Sequence, residues 1–123
     1  MKVIFWPYLA GAEMLPRFAR NPGIELVKVD SADSLAAALP GAAVLVISQT
    51  AYNAEVAALV RTHGKQLRFL QLMNAGIDGP QRHGVPEGIV IANAGDALSP
   101  ALAEHVMTLL LCLYKCVPQM LEN

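Results

Sequence analysis

The 123-residue chain has few charged residues and almost no excess of either sign. Lys and Arg together number 9 and Asp and Glu number 10, so the formal net charge is −1. Charged residues make up 15% of the chain, where about 25% is usual for soluble domains. Because a basic surface is what attracts nucleic acids and anionic membranes, neither is expected as a partner.

The chain also lacks a hydrophobic segment of the length that a membrane span or a secretory signal requires. The most apolar stretch, Val106 to Tyr114, is much shorter than the roughly 20 residues of a membrane-spanning helix. At the N-terminus the apolar run Val3 to Trp6 ends at Pro7, too early for the core of a signal peptide. We therefore expect a cytoplasmic protein in which Val106 to Tyr114 forms a buried helix.

Cysteine is scarce, with Cys112 and Cys116 alone. Their i, i+4 spacing places both thiols on one face of a helix. Two thiols do not complete a zinc site, and His105 lies two helical turns away. The sequence therefore favours reduced core thiols, and no metal site is expected.

Apolar residues, by contrast, make up 54% of the chain. A fraction this high indicates that part of the surface is covered by another domain or by a second copy of the chain. Five short runs are nearly continuous in apolar residues, which is typical of strands in a parallel sheet covered by helices on both faces. The predicted strands are Lys2–Trp6, Ile24–Val29, Ala43–Ser48, Arg68–Leu72 and Gly88–Ala92.

Helical patterns fill the gaps between these strands, and the alternation predicts a doubly wound α/β domain. Capping residues and proline or glycine breakers set the expected ends of each helix. The predicted helices are Ala10–Ala19, a helix from the Ser31 cap to Leu39, Ala54–Thr62 between the Asn53 cap and Gly64, and a helix from the Ser99 cap to about Val117, before Pro118.

Ligands of such folds bind beyond the carboxyl ends of the strands. Gly76, in the loop after the fourth strand, lets backbone come close to a ligand, and successive N–H groups in such a turn can hold an anion. The alternative is an ordinary strand-to-helix turn in which Asp78 caps the helix. The four loops at this edge are Trp6–Tyr8, Gln49–Tyr52, Met73–Gly79 and Asn93–Ser99.

The residues at the strand ends exclude two other classes of protein. A phosphoreceiver domain needs an acidic pair after the first strand and an aspartate at the end of the third, where this chain has Trp6-Pro7 and Ser48. Neither Ser48 nor Ser99 lies in a G-x-S-x-G elbow, so a serine nucleophile is not predicted. Glu104 and His105 are adjacent on a helix, about 100° apart, and cannot form a direct acid–base pair.

Five segments, densest between Ala43 and Pro118, carry a family resemblance through their order and spacing. They are Ser48-Gln49-Thr50, Leu67-Arg68-Phe69-Leu70, Ala75-Gly76-Ile77-Asp78, Gly88-Ile89-Val90-Ile91-Ala92-Asn93, and Leu102-Ala103-Glu104-His105 followed by Leu109-Leu110-Leu111. Together they resemble the N-terminal half of the D-isomer-specific 2-hydroxyacid dehydrogenases.

The resemblance implies a flavodoxin-like fold, with a doubly wound, parallel, five-stranded sheet and a long C-terminal helix. It divides the chain into a substrate-binding domain at residues 1–98 and a dimerisation helix with a truncated linker at residues 99–123. The helix would lead toward a Rossmann domain that is missing from this sequence. The implied activity of the whole enzyme is hydride transfer between NAD or NADP and a 2-hydroxy or 2-keto acid.

The resemblance also assigns roles to residues. Backbone amides of Asn74, Ala75, Gly76 and Ile77 would hold the substrate carboxylate, and the loop with Tyr52 would shape substrate selectivity. Leu102 would pack near the nicotinamide, and the helix Ala101–Val117 would contribute to a homodimer.

The residues that carry out the chemistry in this family are not matched in the chain. The family's catalytic Arg, Glu and His belong to segments beyond Asn123, and no G-x-G-x-x-G fingerprint occurs. We therefore expect this chain alone to be inactive, with no catalytic residue of its own and no tight binding of NAD or NADP. The alternative is a stand-alone, non-catalytic binding or oligomerisation module of the same fold.

Overall fold

The structure is a computed structural model that describes residues 1–7 and 13–121. The chain forms two compact units, Met1–Asn93 and Ala94–Asn123. The first unit contains the sheet and the helices that cover it. The second unit is helical.

All five strands of the sheet run parallel, in the order β2-β1-β3-β4-β5. This is the strand order of flavodoxin-like domains, in which the order reverses beside β1. Every predicted strand is present and is slightly shorter than predicted, so the predicted fold class is confirmed. The strands are β1 (Lys2–Phe5), β2 (Glu25–Lys28), β3 (Val44–Ile47), β4 (Phe69–Leu72) and β5 (Val90–Ala92).

Two helices of the first unit begin at residues whose side chains cap the free backbone amides. Ser31 and Ser34 form a reciprocal capping box, and Asn53 Oδ1 accepts from the Val56 amide at 3.0 Å. Asp78 is not the predicted cap but the first residue of its helix, and Ile77 stands at the cap position without a side-chain hydrogen bond. The helices are α1 (Leu15–Ala19), α2 (Ala32–Ala38), α3 (Ala54–His63) and α4 (Asp78–His83). Residues 10–12 of the first predicted helix lie outside the described residues.

The core lies on both faces of the sheet, as the continuous apolar strands predict. On one face, Leu45 and Leu70 have no exposed surface, and Val56 of α3 belongs to the same cluster. On the other face, Phe5 packs against Phe18 of α1 with ring centroids 5.8 Å apart. The central strands are thereby fixed, and with them the loops at their carboxyl ends.

The cap of α3 gives a direct test of this part of the fold. Replacing Asn53 by alanine removes the acceptor of the Val56 amide and is expected to lower the free energy of unfolding by about 0.5–2 kcal/mol. Urea denaturation followed by circular dichroism measures this change. An unchanged unfolding midpoint would show that the cap contributes nothing to stability.

The second unit contains α5 (Ser99–Tyr114) and α6 (Val117–Leu121). Ser99 is the first helical residue and not the predicted cap, since Leu98 occupies the cap position without a side-chain hydrogen bond. The helix also ends earlier than the predicted Val117. Directly after the cap residue Lys115, Cys116 takes a left-handed conformation with a φ of 51°, which is a common way for an α-helix to end.

The prediction that Val106 to Tyr114 is a buried helix is wrong for this chain, because no described residue of α5 is buried. Cys112 is half-buried, and Cys116 is exposed beyond the end of α5 with a φ of 51°. The prediction of core thiols on one helix face is therefore also wrong. A unit made of one long and one short helix has no second layer in which to bury an apolar side chain. No helix in the described part of the chain is long and apolar enough to cross a membrane.

Candidate functional site

Three loops meet at the carboxyl edge of β3, β4 and β5, because these strands are parallel neighbours. The central loop follows β4 and includes residues 74–77, called the amide loop below. It is flanked by Gln49, which follows β3, and by Asn93, which follows β5. All of these residues belong to the first unit.

Gln49 links the segment after β3 to Asn74 at the start of the amide loop and to Gly79 in the first turn of α4. Its backbone N–H donates to Asn74 Oδ1 at 3.1 Å. Its side-chain Oε1 accepts from the Gly79 amide at 3.3 Å. The sequence places Gln49 in a candidate loop, and the structure adds these two bonds.

Asn93 holds the loop from the β5 side. Its Nδ2 donates to the Ala75 carbonyl at 2.6 Å. This contact joins residues 18 positions apart in the chain. The sequence places Asn93 in a candidate loop, and the structure adds the specific bond.

The backbone amides of the amide loop are available to a ligand. Among the described residues, none of the N–H groups of Asn74, Ala75, Gly76 and Ile77 donates a hydrogen bond within the chain. Ala75 and Ile77 are exposed, and Asn74 and Gly76 are half-buried. Successive amides of this kind can bind an anion through several N–H groups at once.

Gly76 of the amide loop and Gly79 in the first turn of α4 differ in the space around them. A Cβ at Gly76 would lie 3.2 Å from Asp78 Oδ2 and 3.5 Å from the Gln49 side chain, which can adjust. A Cβ at Gly79 would clash with the backbone carbonyl oxygen of Gln49 and lie 2.6 Å from that of Tyr52. Glycine is therefore required by close packing at Gly79, whereas the sequence pattern favoured Gly76 as the position of closest approach.

Tyr52 is buried, and its hydroxyl donates to the Gly84 carbonyl at 3.1 Å. Burial raises the pKa of this hydroxyl, and the positive charge of Arg61 opposes the rise. The hydroxyl therefore stays protonated at neutral pH and serves as the donor that ties the β3–α3 loop to the end of α4. The structure gives Tyr52 a positioning contact, and its contribution to substrate selectivity stays a prediction.

Ser48 is also buried, and its hydroxyl is engaged within the same loop. Its Oγ lies 3.1 Å from Thr50 Oγ1 and accepts from the Ala51 amide at 3.1 Å. These bonds shape the turn between β3 and α3 and keep Gln49 at a fixed position beside the amide loop.

Two hollows lie on either side of the start of α4. The first has a volume of about 250 Å³ and is lined by Ile77, Pro80, Gln81, Ile91, Ala92 and Asn93. The second has a volume of about 400 Å³ and includes the charged side chains of Asp78 and Arg82. Its lining also includes Gln49, Thr50, Gly79 and His83.

The other predicted positions belong to other segments of the chain. Leu102 lies in the second unit on α5 and is 60% exposed. Trp6 is half-buried against the core, and Tyr8 lies outside the described residues. Within residues 1–7 and 13–121, no three His, Cys, Asp or Glu side chains come together in a way that could hold a metal ion.

The fold is similar to that of two solved dehydrogenases. One is a D-isomer specific 2-hydroxyacid dehydrogenase family protein from Aeromonas salmonicida, 19% identical, with a TM-score of 0.74 over 98% of this chain and 37% of that chain. The other is the apo-structure of D-lactate dehydrogenase from Escherichia coli, 17% identical, with a TM-score of 0.62 over 97% of this chain and 39% of that one.

These structural neighbours come from the family that the sequence resembles. The chain spans less than two-fifths of the length of either neighbour. At this level of identity the likeness shows the fold. Comparisons with models of protein families and with curated proteins gave no match.

Proposed function

We propose that this chain is the substrate-binding domain of an NAD(P)-dependent D-2-hydroxyacid dehydrogenase and that the amide loop binds the carboxylate of a 2-hydroxy or 2-keto acid. The observation that carries the proposal is the row of unpaired amides in residues 74–77 at the carboxyl edge of a flavodoxin-like sheet. The fold of the two dehydrogenases supports it.

The loop suits a carboxylate better than a larger or cationic group. N–H donors recognise an anion, and hydrogen bonds to an ionised acceptor are roughly twice as strong as neutral ones. The carboxyl edge of a doubly wound sheet is also where ligands of such folds bind. Gly76 carries no side chain, so a small acid can approach the backbone directly.

The chain's residues do not by themselves fit a dinucleotide. The phosphates of such a cofactor need a glycine-rich turn that opens a helix, and no G-x-G-x-x-G occurs in the sequence. In the turn between β4 and α4, the space beside Gly79 is filled by the backbone of the β3–α3 loop. We therefore assign no hydride-transfer step to this chain, and propose for Leu102 only an apolar contact near the nicotinamide of the whole enzyme.

The exposed apolar residues of α5 suggest a second role in assembly. Val106, Leu109 and Leu113 recur at helical spacing on one stripe and are each more than half exposed. A helix with this much apolar surface is normally covered. We propose that α5 pairs with the same helix of a second copy and forms a homodimer. In a stand-alone module, this assembly would be the main function.

Binding of pyruvate tests the proposed carboxylate site. In a titration of the ¹⁵N-labelled chain, we expect the amide resonances of residues 74–77 to shift with a weak affinity, on the order of 1 mM. Lactamide, a neutral analogue without a carboxylate, is the control and should cause no such shift. A titration in which pyruvate and lactamide act alike would contradict the proposal.

Changing Gly76 to valine is expected to abolish these shifts while the fold is retained. The position accepts a Cβ with small adjustments of the Asp78 and Gln49 side chains, but a branched side chain obstructs the approach of the carboxylate to the backbone. The thermal unfolding midpoint and the pyruvate titration measure the two effects separately. Equal affinity of the variant and the unchanged chain would place the carboxylate elsewhere.

A further inference from the structure

We infer that Gln49 and Asn93 are positioning residues, whose side-chain amides hold the amide loop in the conformation that leaves its N–H groups free. One residue follows the strand on each side of β4, so the loop is fixed from both directions. The identity of the ligand rests on the proposed function, but the conformation of the loop can be tested without any ligand.

Asn93 determines which way the peptide between Ala75 and Gly76 faces. The C=O and N–H groups of a trans peptide point in opposite directions. Because the Ala75 carbonyl accepts from Asn93 Nδ2 at 2.6 Å, the Gly76 N–H points away from the Asn93 side chain. Rotation of this peptide would break the bond and bring an N–H toward an NH₂ donor. The Asn93 side chain therefore selects the orientation in which the Gly76 amide is free.

Gln49 fixes the other end of the loop by joining it to the start of α4. Gly79 lies in the first turn of that helix, where backbone amides have no acceptor within the helix. Gln49 Oε1 supplies this acceptor, and the aliphatic part of the same side chain lies beside Gly76. The Gln49 backbone N–H is in turn held by Asn74 Oδ1. Gln49 thus contacts the start of the loop, the side of Gly76 and the helix turn that follows the loop.

Both side chains act through the loop and not on the substrate. The Gln49 carbonyl oxygen and the Asn93 NH₂ group already have partners in the loop. Replacing either side chain keeps the four backbone amides of residues 74–77 and changes only the direction in which their N–H groups point. Replacing either side chain should therefore weaken pyruvate binding by more than the loss of folding stability explains.

The first experiment compares ligand-free variants by NMR. Asn93→Ala removes the donor, and Gln49→Met keeps the length of the side chain without its amide oxygen. In both, the amide resonances of Ala75, Gly76 and Ile77 should move. Gln49→Glu retains an acceptor for the Gly79 amide and should restore the pattern. The control is Asn53→Ala, which removes a similar side-chain bond from a neighbouring helix start and should leave these resonances in place.

The second experiment measures pyruvate affinity in the same variants. Loss of one well-placed donor corresponds to about a tenfold weaker affinity, and we expect this in Asn93→Ala and Gln49→Met but not in Asn53→Ala. Unmoved loop resonances, or an equal loss of affinity in Asn53→Ala, would overturn the inference. Failure of the unchanged chain to bind pyruvate would instead contradict the proposed function, while the ligand-free spectra still decide the positioning role.

Discussion

Replacing Gly79 by alanine is expected to lower the free energy of unfolding by about 1–3 kcal/mol, the usual range for overpacking a filled site. The new methyl group would clash with the Gln49 carbonyl oxygen and lie 2.6 Å from that of Tyr52. Both obstacles are backbone atoms, so the β3–α3 loop or the start of α4 must move. Chemical denaturation of the purified chain measures the effect.

Gly76→Ala is the matched control, since it adds the same methyl group three residues earlier. There the neighbours are the side chains of Asp78 and Gln49 at 3.2 and 3.5 Å, and the stability should change little. Gly79→Ala should also weaken pyruvate binding, because the displaced segment includes the Gly79 amide that Gln49 holds. Equal unfolding midpoints for the two variants would contradict the close packing at Gly79.

Replacing Leu109 by lysine is expected to abolish the proposed self-association. A buried leucine contributes roughly 1.5–3 kcal/mol, and a two-fold symmetric dimer contains the substitution twice. The dissociation constant should therefore rise about a hundredfold or more. Leu109 is 51% exposed in the single chain, so the substitution should leave the folded chain intact. Sedimentation velocity over a range of concentrations measures the association.

Thr108→Lys provides the control on the same helix. Thr108 shares its stripe with Glu104 and Lys115, so a further charge there should be tolerated by a dimer that uses the leucine stripe. We expect this variant to associate like the unchanged chain. A strictly monomeric unchanged chain at high concentration would rule out the homodimer, and the apolar stripe would then be assigned to another partner.

The sheet and the starts of α2 and α3 could be predicted from the sequence because their signals are local. Each strand is a short apolar run, and the parallel arrangement follows from the helices between them. The Ser31 and Asn53 caps work through contacts three residues away. The prediction that Ser99 caps α5 was wrong for the same reason. A serine before Pro100 is a local signal for a cap, and the sequence does not show whether its hydroxyl is used.

The sequence predicted the position of the amide loop in the chain, but not the hydrogen bonds that hold it. The bonds from Gln49 to the loop cross 25 and 30 positions of sequence, and the bond from Asn93 crosses 18. Such partners are set by which strands become neighbours and by the path of each loop. No spacing within one segment reveals them.

By itself, the sequence of this protein determined a five-stranded parallel α/β fold and an excess of apolar residues, and it predicted candidate binding loops at the carboxyl edge of the sheet. The tertiary structure decided that close packing requires glycine at Gly79 and not at Gly76, that the Tyr52 hydroxyl is used within the protein, and that α5 leaves its apolar stripe exposed. The physical reason is range: hydrophobic periodicity and capping act within a few residues, whereas free amides, close approaches and exposed faces depend on which distant segments pack together.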